Sequence, residues 1–399
     1  MKNDRFIIDL FFNKKIISKN MKTLVSVIVI ASVFLYSVNL SLTAQDLSGY
    51  KFKNVKEIKN TPVENQQATG TCWSFATTSF IESELIRMGK ESLDLSEMYF
   101  VRYAYLDKAD NYIRLHGSAN FGQGGQAHDV INVVKKYGFV PEDVYKGLNY
   151  GSEIHDHSEL EPVLKGFLDG LIKNSKLSQV WEKAYTAILD IYLGAEVGSF
   201  DYKGKSYTPA EFSRNMNFDP DNYIELTSYN HAPFYSEFIL EIPDNWSFDC
   251  YYNIPVDDLV RVVDNAMDKG YTVCWDGDVS EKGFKHTNGV AVIMAEGKTV
   301  DVEAASPAPV EEKIITQELR QECFDNYSTT DDHLMHLIGT AEDQDGKRFY
   351  LTKNSWGEKS NTLGGKLYMS VPYIRLHTIA ILVHKDAIPE DIKLKLDLE

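Results

Sequence analysis

The spacing of apolar residues changes partway along this 399-residue chain, and that change excludes most architectures. Up to about residue 140 the spacing is helical. Trp73, Ala76, Phe80, Ile81, Leu85 and Met88 mark one helix over residues 72–90, with Gly89 as a stop signal. "LDLSEMYFVRYAYLDKA" predicts a second helix, capped by Ser96. "GGQAHDVINVVKKYGFVP" predicts a third that ends at Gly138. Residues 256–269 form one more amphipathic helix. Around and after it come short β-rich runs separated by Gly, Asp or Pro turns, among them "GYTVCWDGD", "GVAVIMAEG", "HLMHLIGTA", "RFYLTKNSWG", "GGKLYMSVPYI" and "TIAILVHK". Helices early and strands late rule out an alternating βαβ chain and predict an α+β fold with segregated halves.

Four segments follow from this reading. Residues 45–150 form a helical half, opening with an exposed lead-in over 45–63. Residues 151–250 form a large insertion, helical at first ("SQVWEKAYTAILDIYL") and then rich in Tyr, Asn, Pro and Phe. Residues 251–399 form a β-rich half, interrupted by the loop "EAASPAPVEE" at 303–312. Residues 1–44 read as a targeting segment. Lys14, Lys15, Lys19 and Lys22 precede the apolar run "LVSVIVIASVFLY" at 24–36, and Ala44 precedes Gln45. Charged, apolar, then small is the order of a secretory signal, and the run is short for a membrane span. Met21 is a possible real start, and an uncleaved anchor is the alternative, which would be the one route to a membrane. The segment carries six basic and two acidic residues, so its removal would take the net charge from −17 to −21.

That acidity, 58 carboxylates against 41 basic residues, argues against nucleic-acid binding through a general basic surface. Export permits disulfides, but Cys72, Cys250, Cys274 and Cys323 are too few and too scattered for a disulfide scaffold. No CxxC or HExxH spacing occurs, so neither a metal nor another cofactor is expected.

The stretch "ENQQATGTCWSFATTSF" puts a lone Cys at the entry of the first helix. Acyl transfer by a thiol needs a thiolate, a base, a residue that orients the base, and donors for the oxyanion. A Cys at a helix N-terminus gains thiolate stability from the helix dipole. Gln66 and the Cys72 backbone N–H are candidate oxyanion donors, with Gly70 as the turn between them. A base and its orienter occur late in the chain: "DDHLMHLIG" holds His333 and His336, and "KNSWG" holds Asn354, Trp356 and Gly357. An Asn oxygen accepting from one ring nitrogen leaves the other to face the thiol. A Trp beside that bond would shield it from water.

Taken together, "NQQATGTCW", "GGQ", a His at the head of an apolar strand and "KNSWG" resemble the papain superfamily of cysteine peptidases, most closely the bleomycin hydrolase/aminopeptidase C branch. "SYTPAEF", "WDGDV" and "ITQELRQECF" fall where that branch has similar segments, and the resemblance spans roughly residues 45–390. It implies a papain-like fold with a helical left half and an antiparallel β-barrel-like right half. It also implies a catalytic set of Cys72, His333, Asn354 and Gln66, with Gly124, Gly125 and Trp356 lining the substrate cleft. His336 stays open as the alternative base. In that superfamily a Gly follows the His by six residues, which Gly339 does for His333, and residues 333 and 336 face opposite sides of a strand. His286, heading "HTNGVAVI", reads as a surface or cleft residue.

Two departures matter. Thr69 stands where secreted relatives carry a second Cys, so no disulfide is expected there. The end "AIPEDIKLKLDLE" lacks the branch's apolar-ended tail, which leaves aminopeptidase against endopeptidase action open, and the oligomeric state with it. The expectation is an exported thiol peptidase acting on peptide or protein substrates. The alternatives are a catalytically silent papain-fold peptide binder and a papain-like acyl transferase.

Overall fold

A computed structural model describes residues 49–174, 176–295 and 309–398. The targeting segment 1–44 and most of the loop 303–312 lie outside the described residues, as does Glu399. Among the described residues no helix is long and apolar enough to cross a membrane.

The first helix, α1 (Cys72–Arg87), is buried along nearly its whole length, including Ser74, Thr77, Thr78, Ser79, Glu82 and Ser83. A helix enclosed on all sides shows little amphipathic bias, and its polar side chains must find partners inside the protein. α2 (Glu97–Arg114) starts at Ser96, whose Oγ accepts from Tyr99 N at 3.1 Å. α3 (Ala127–Tyr137) starts with the Gln126 N–H donating to Asp129 Oδ2 at 2.8 Å and stops at Gly138, whose φ is +83°. The middle segment adds α4 (Leu160–Leu171) and α5 (Trp181–Leu193), which pack on α2. Leu160, Leu164 and Leu168 on one, and Tyr185, Leu189 and Leu193 on the other, repeat every four residues and form the buried stripe.

The strands are β1 (Lys53–Glu57), the separate hairpin β2 (Phe200–Tyr202) and β3 (Lys205–Tyr207), β4 (Tyr223–Thr227), β5 (Ser236–Ile239) and β6 (Cys250–Asn253). After the helix Val256–Lys269 come β7 (Val273–Gly277), β8 (Phe284–Lys285), β9 (Val290–Ala291), β10 (His333–Glu342), β11 (Arg348–Lys353), β12 (Lys366–Ser370) and β13 (Thr378–His384). Apart from the hairpin they make one sheet ordered β5-β6-β4-β13-β7-β10-β11-β12-β9-β8, with β1 on β10. The pairings are antiparallel except β4 with β6 and β12 with β9. The sheet is not closed into a barrel and has two free ends, at β5 and β8.

The lead-in expected to be exposed instead pairs through β1, and Tyr50 and Phe52 pack on Phe349 and Tyr368. The middle segment also gives β4, β5 and β6 to the main sheet. "GVAVIMAEG" yields only the two-residue β9. Gly339 has a backbone reason to be glycine. A Cβ there would lie 2.3 Å from the Lys56 carbonyl oxygen on β1.

Along β10 and β7 the side chains alternate between two cores. Leu334 and Cys274 join the cluster around α1, while Met335, Leu337 and Trp275 join the cluster under Val256–Lys269. The period of two therefore sets one sheet face on α1. It brings the first residue of β10, His333, to the end of the sheet where α1 begins.

Candidate active site

The turn before α1 is tied to the segment after β11. The Gln66 N–H donates to the Ser355 carbonyl at 2.9 Å, and Ser355 Oγ donates to Gln66 Oε1 at 2.6 Å. Asn65 bridges Trp356 alongside. Gln66 Nε2 gives one proton to the Thr69 carbonyl at 2.7 Å, and a carboxamide nitrogen has a second to offer. Thr69, at the position of the absent second Cys, closes the turn by donating to the Gln66 carbonyl at 2.7 Å. All four cysteines are free. Gly70 donates to Gln123 Oε1 at 2.7 Å, and the Trp73 indole donates to the Gln123 carbonyl at 2.9 Å. Cys72 is therefore held at the helix entry, where the first-turn N–H groups, its own included, have no partner within the helix.

The Cys72 thiol is buried, near the backbone N–H of Leu334, the residue after His333. His333 Nε2 lies 2.7 Å from Asn354 Oδ1. That oxygen can only accept, so Nε2 carries the proton and Nδ1 is left as the base. The Asn354 amide cannot turn over without loss, because Oδ1 also accepts from the Ser355 N–H at 2.7 Å. The Trp356 ring covers His333, with centroids 5.1 Å apart and planes tilted by 36°. His336 faces the other way. It is fully buried, with Nδ1 2.8 Å from Ser79 Oγ on α1.

Burial dominates the electrostatics. It pushes the Cys72 thiol up to about 12 and the His333 ring down to about 4. At neutral pH the thiol and the imidazole are thus both uncharged at rest.

Gly124 and Gly125 lie beside this centre, between Trp73 and the loop 240–249. A Cβ on Gly125 would stand 3.0 Å from the Trp73 ring, and one on Gly124 would stand 1.9 Å from Asp244 Oδ2. The glycines thus lie under an acidic side chain.

Two residues of the centre escape a sequence reading. Of the surface or cleft positions open to His286, the surface one is excluded: it is buried, accepts from Asn354 Nδ2 at 3.3 Å and lies 2.8 Å from Ser360 Oγ through its other nitrogen. It fixes the far side of the Asn354 amide, and the 68 residues between them hide the contact. Lys353 is the second. Its ammonium is buried and donates to the Thr61 carbonyl at 2.9 Å and to Ser79 Oγ at 2.8 Å, which pins the residue before Asn354 to α1. A Lys preceding Asn-Ser was the only signal, and it reads as solvated. Among the described residues no cluster of His, Cys, Asp and Glu is arranged to hold a metal ion.

Comparison with known proteins gives the same outline. The family profile "Peptidase C1-like family" matches residues 199–399, and "Papain family cysteine protease" matches residues 50–185. Cysteine proteinase 1, mitochondrial, of Saccharomyces cerevisiae is 23% identical and is aligned over 86% of this chain and 79% of its own length. Aminopeptidase G of Lactobacillus delbrueckii subsp. lactis is 23% identical, and aminopeptidase C of Listeria monocytogenes is 21% identical. Each covers 84% of this chain and 83% of the relative. The crystal structure of PepW from Lactobacillus rhamnosis superposes with a TM-score of 0.69 at 18% identity, over 86% of this chain and 84% of that one, so the two share a papain-like fold.

Proposed function

Because the chain belongs to the peptidase C1-like family, we propose that it hydrolyses peptide bonds through an acyl-enzyme on Cys72. The observation that carries the reading is the His333–Asn354 hydrogen bond under Trp356, together with the nearness of Leu334, the residue after His333, to a thiol at a helix entry. The Cys72 S–H proton passes to His333 Nδ1, and the sulfur attacks the substrate carbonyl carbon. The Cys72 N–H and the second Gln66 Nε2 proton hold the oxyanion. The intermediate collapses with cleavage of the C–N bond, and His333 returns its proton to the leaving amine. Water, deprotonated by the same ring, then cleaves the thioester and frees the acid and the thiol. Asn354 keeps Nδ1 aimed at the sulfur and stabilises the imidazolium.

Two of the relatives are named aminopeptidases, which favours removal of N-terminal residues over cleavage within a chain. Export of the chain is part of this proposal and rests on the lysines and apolar run of residues 14–36.

The test is labelling of the reduced, purified protein with iodoacetamide, followed by mass spectrometry and a peptide-cleavage assay. Modification of Cys72, resolved by mass spectrometry from that of the exposed Cys250, with cleavage abolished only when Cys72 is modified and by Cys72→Ala, is the expected result. Labelling without cleavage would favour a peptide binder. Amide formation with an added amine, in place of free acid, would favour an acyl transferase.

A further inference from the structure

Asn354 has a second imidazole on its far side, and the hydrogen bonds there run in one direction only. The Asn354 amide is oriented without reference to that ring, because Oδ1 accepts from the Ser355 N–H and from His333 Nε2, each at 2.7 Å. Its Nδ2 is therefore the atom that lies 3.3 Å from His286 Nδ1. An amide nitrogen can only donate, so this ring nitrogen accepts and carries no proton. The proton of a neutral His286 is then on Nε2, 2.8 Å from Ser360 Oγ. Ser360 requires the same assignment independently. Its single hydroxyl proton goes to the Gly357 carbonyl at 2.7 Å, which leaves its oxygen to accept from Nε2.

The result is a relay in which every donor is assigned. His333 donates to Asn354, Asn354 to His286, His286 to Ser360, and Ser360 to the Gly357 carbonyl. Trp356 packs on both rings, with centroids 4.7 Å from His286 and 5.1 Å from His333. His286 is 7% exposed and begins the turn between β8 and β9. Its carbonyl accepts from the Gly289 N–H at 3.0 Å and from Asn361 Nδ2 at 2.8 Å. The residue is thus held at its backbone and at both ring nitrogens. Burial pushes the ring down to about 4, so at neutral pH it is uncharged and its Nδ1 lone pair is available.

We infer that His286 is a positioning residue: its Nδ1, kept an acceptor by Ser360, fixes the Asn354 amide and so holds the His333 proton on Nε2. Without that acceptor a buried Asn354 N–H is left unmet, which is unfavourable. Turning the amide over to satisfy it would set Nδ2 against His333 Nε2 and drive the ring proton to the nitrogen that must serve as base. The inference deepens the peptidase reading and rests on it for the use made of His333.

The test is NMR of the full-length protein carrying 15N-labelled histidine. The His333 Nε2–H, assigned by its absence in His333→Gln, should exchange slowly with solvent in the parent. In His286→Leu, which offers no acceptor, exchange should be about fivefold faster, the scale of one buried hydrogen bond. In His286→Asn, whose side-chain oxygen can stand near the position of the imidazole Nδ1, it should stay within about twofold of the parent. Alkylation of Cys72 by iodoacetamide should slow in the same order, with KM for peptide cleavage within about twofold throughout. Ser360→Ala releases the His286 tautomer and should also speed exchange, so it serves as the second variant should thermal melts show His286→Leu to be unfolded. Three results overturn the inference: a parent proton that exchanges like that of an exposed imidazole, an unchanged rate in the folded acceptor-free variant, or equal losses in His286→Leu and His286→Asn. A lower Tm with unchanged exchange and alkylation would make His286 a packing residue only. A parent that keeps the ring signal but cleaves no peptide would sink the peptidase reading and leave this comparison standing.

Discussion

Asn354→Ala probes the chemistry and the fold by separable amounts. Asn354 Oδ1 takes two donors, His333 Nε2 and the Ser355 N–H, each at 2.7 Å. Both donors are buried, and each left unsatisfied costs about 1–3 kcal/mol, so the variant should lose about 2–6 kcal/mol of stability. The effect on chemistry is a difference between two states of one hydrogen bond. While His333 is neutral the bond contributes about 1 kcal/mol, and once the ring holds the thiol proton it becomes charge-assisted and contributes about 1.5–3 kcal/mol. The gap, about 1 kcal/mol or somewhat more, corresponds to roughly a tenfold smaller population of the reactive thiolate–imidazolium pair, at about 1.36 kcal/mol per decade. Alkylation of Cys72 by iodoacetamide at neutral pH should therefore slow about tenfold. The kcat/KM for peptide cleavage should fall about 10- to 100-fold, because the ring also loses its aim. Thermal melting checks that the variant is folded at the assay temperature. A folded Asn354→Ala protein whose alkylation rate stays within twofold of the parent refutes the reasoning, since Asn354 would then not be coupled to the thiol through His333.

Burial holds the His333 ring near 4, so the acid limb of kcat/KM should lie near pH 4. Above that value the ring is neutral and can take the thiol proton, and below it solvent has already protonated it. The same depression means that the folded state binds fewer protons than the unfolded chain between about pH 4 and about 6.5, so stability falls as pH drops through that window. A limb centred near pH 6.5, followed by activity assay with folding monitored in parallel, would contradict this. Gly339→Ala tests the fold alone. Its Cβ would sit 2.3 Å from the Lys56 carbonyl oxygen and 3.1 Å from Glu57 Cα, forcing β1 away from β10 at a cost of about 1–3 kcal/mol. Calorimetry should show a lower Tm with near-parental kcat/KM per folded molecule, and an unchanged Tm would count against it.

What was legible in the sequence follows periodicity and local signals. The helices α1 to α3 announce themselves through apolar spacing, the Ser96 cap and the Gly138 stop, all of which lie within a few residues of what they specify. Cys72, Gln66 and Asn354 stand in short motifs whose order matches a known family. His333 and His336 separate because a strand turns alternate residues to opposite faces. What stayed hidden depends on contacts across the fold. A five-residue strand of mostly exposed residues, β1, becomes visible only when β10 supplies its partner. His286 looks like any polar residue before a short apolar run until the sheet carries it to Asn354. Lys353 looks solvated until Ser79 on α1 and Thr61, in the segment before α1, take its protons. Asp276 stands in the β-rich run "GYTVCWDGD", and only the pairing of β7 with β10 shows that it points into the interior opposite Leu334. In each case the long-range pairing, not the local composition, sets the burial.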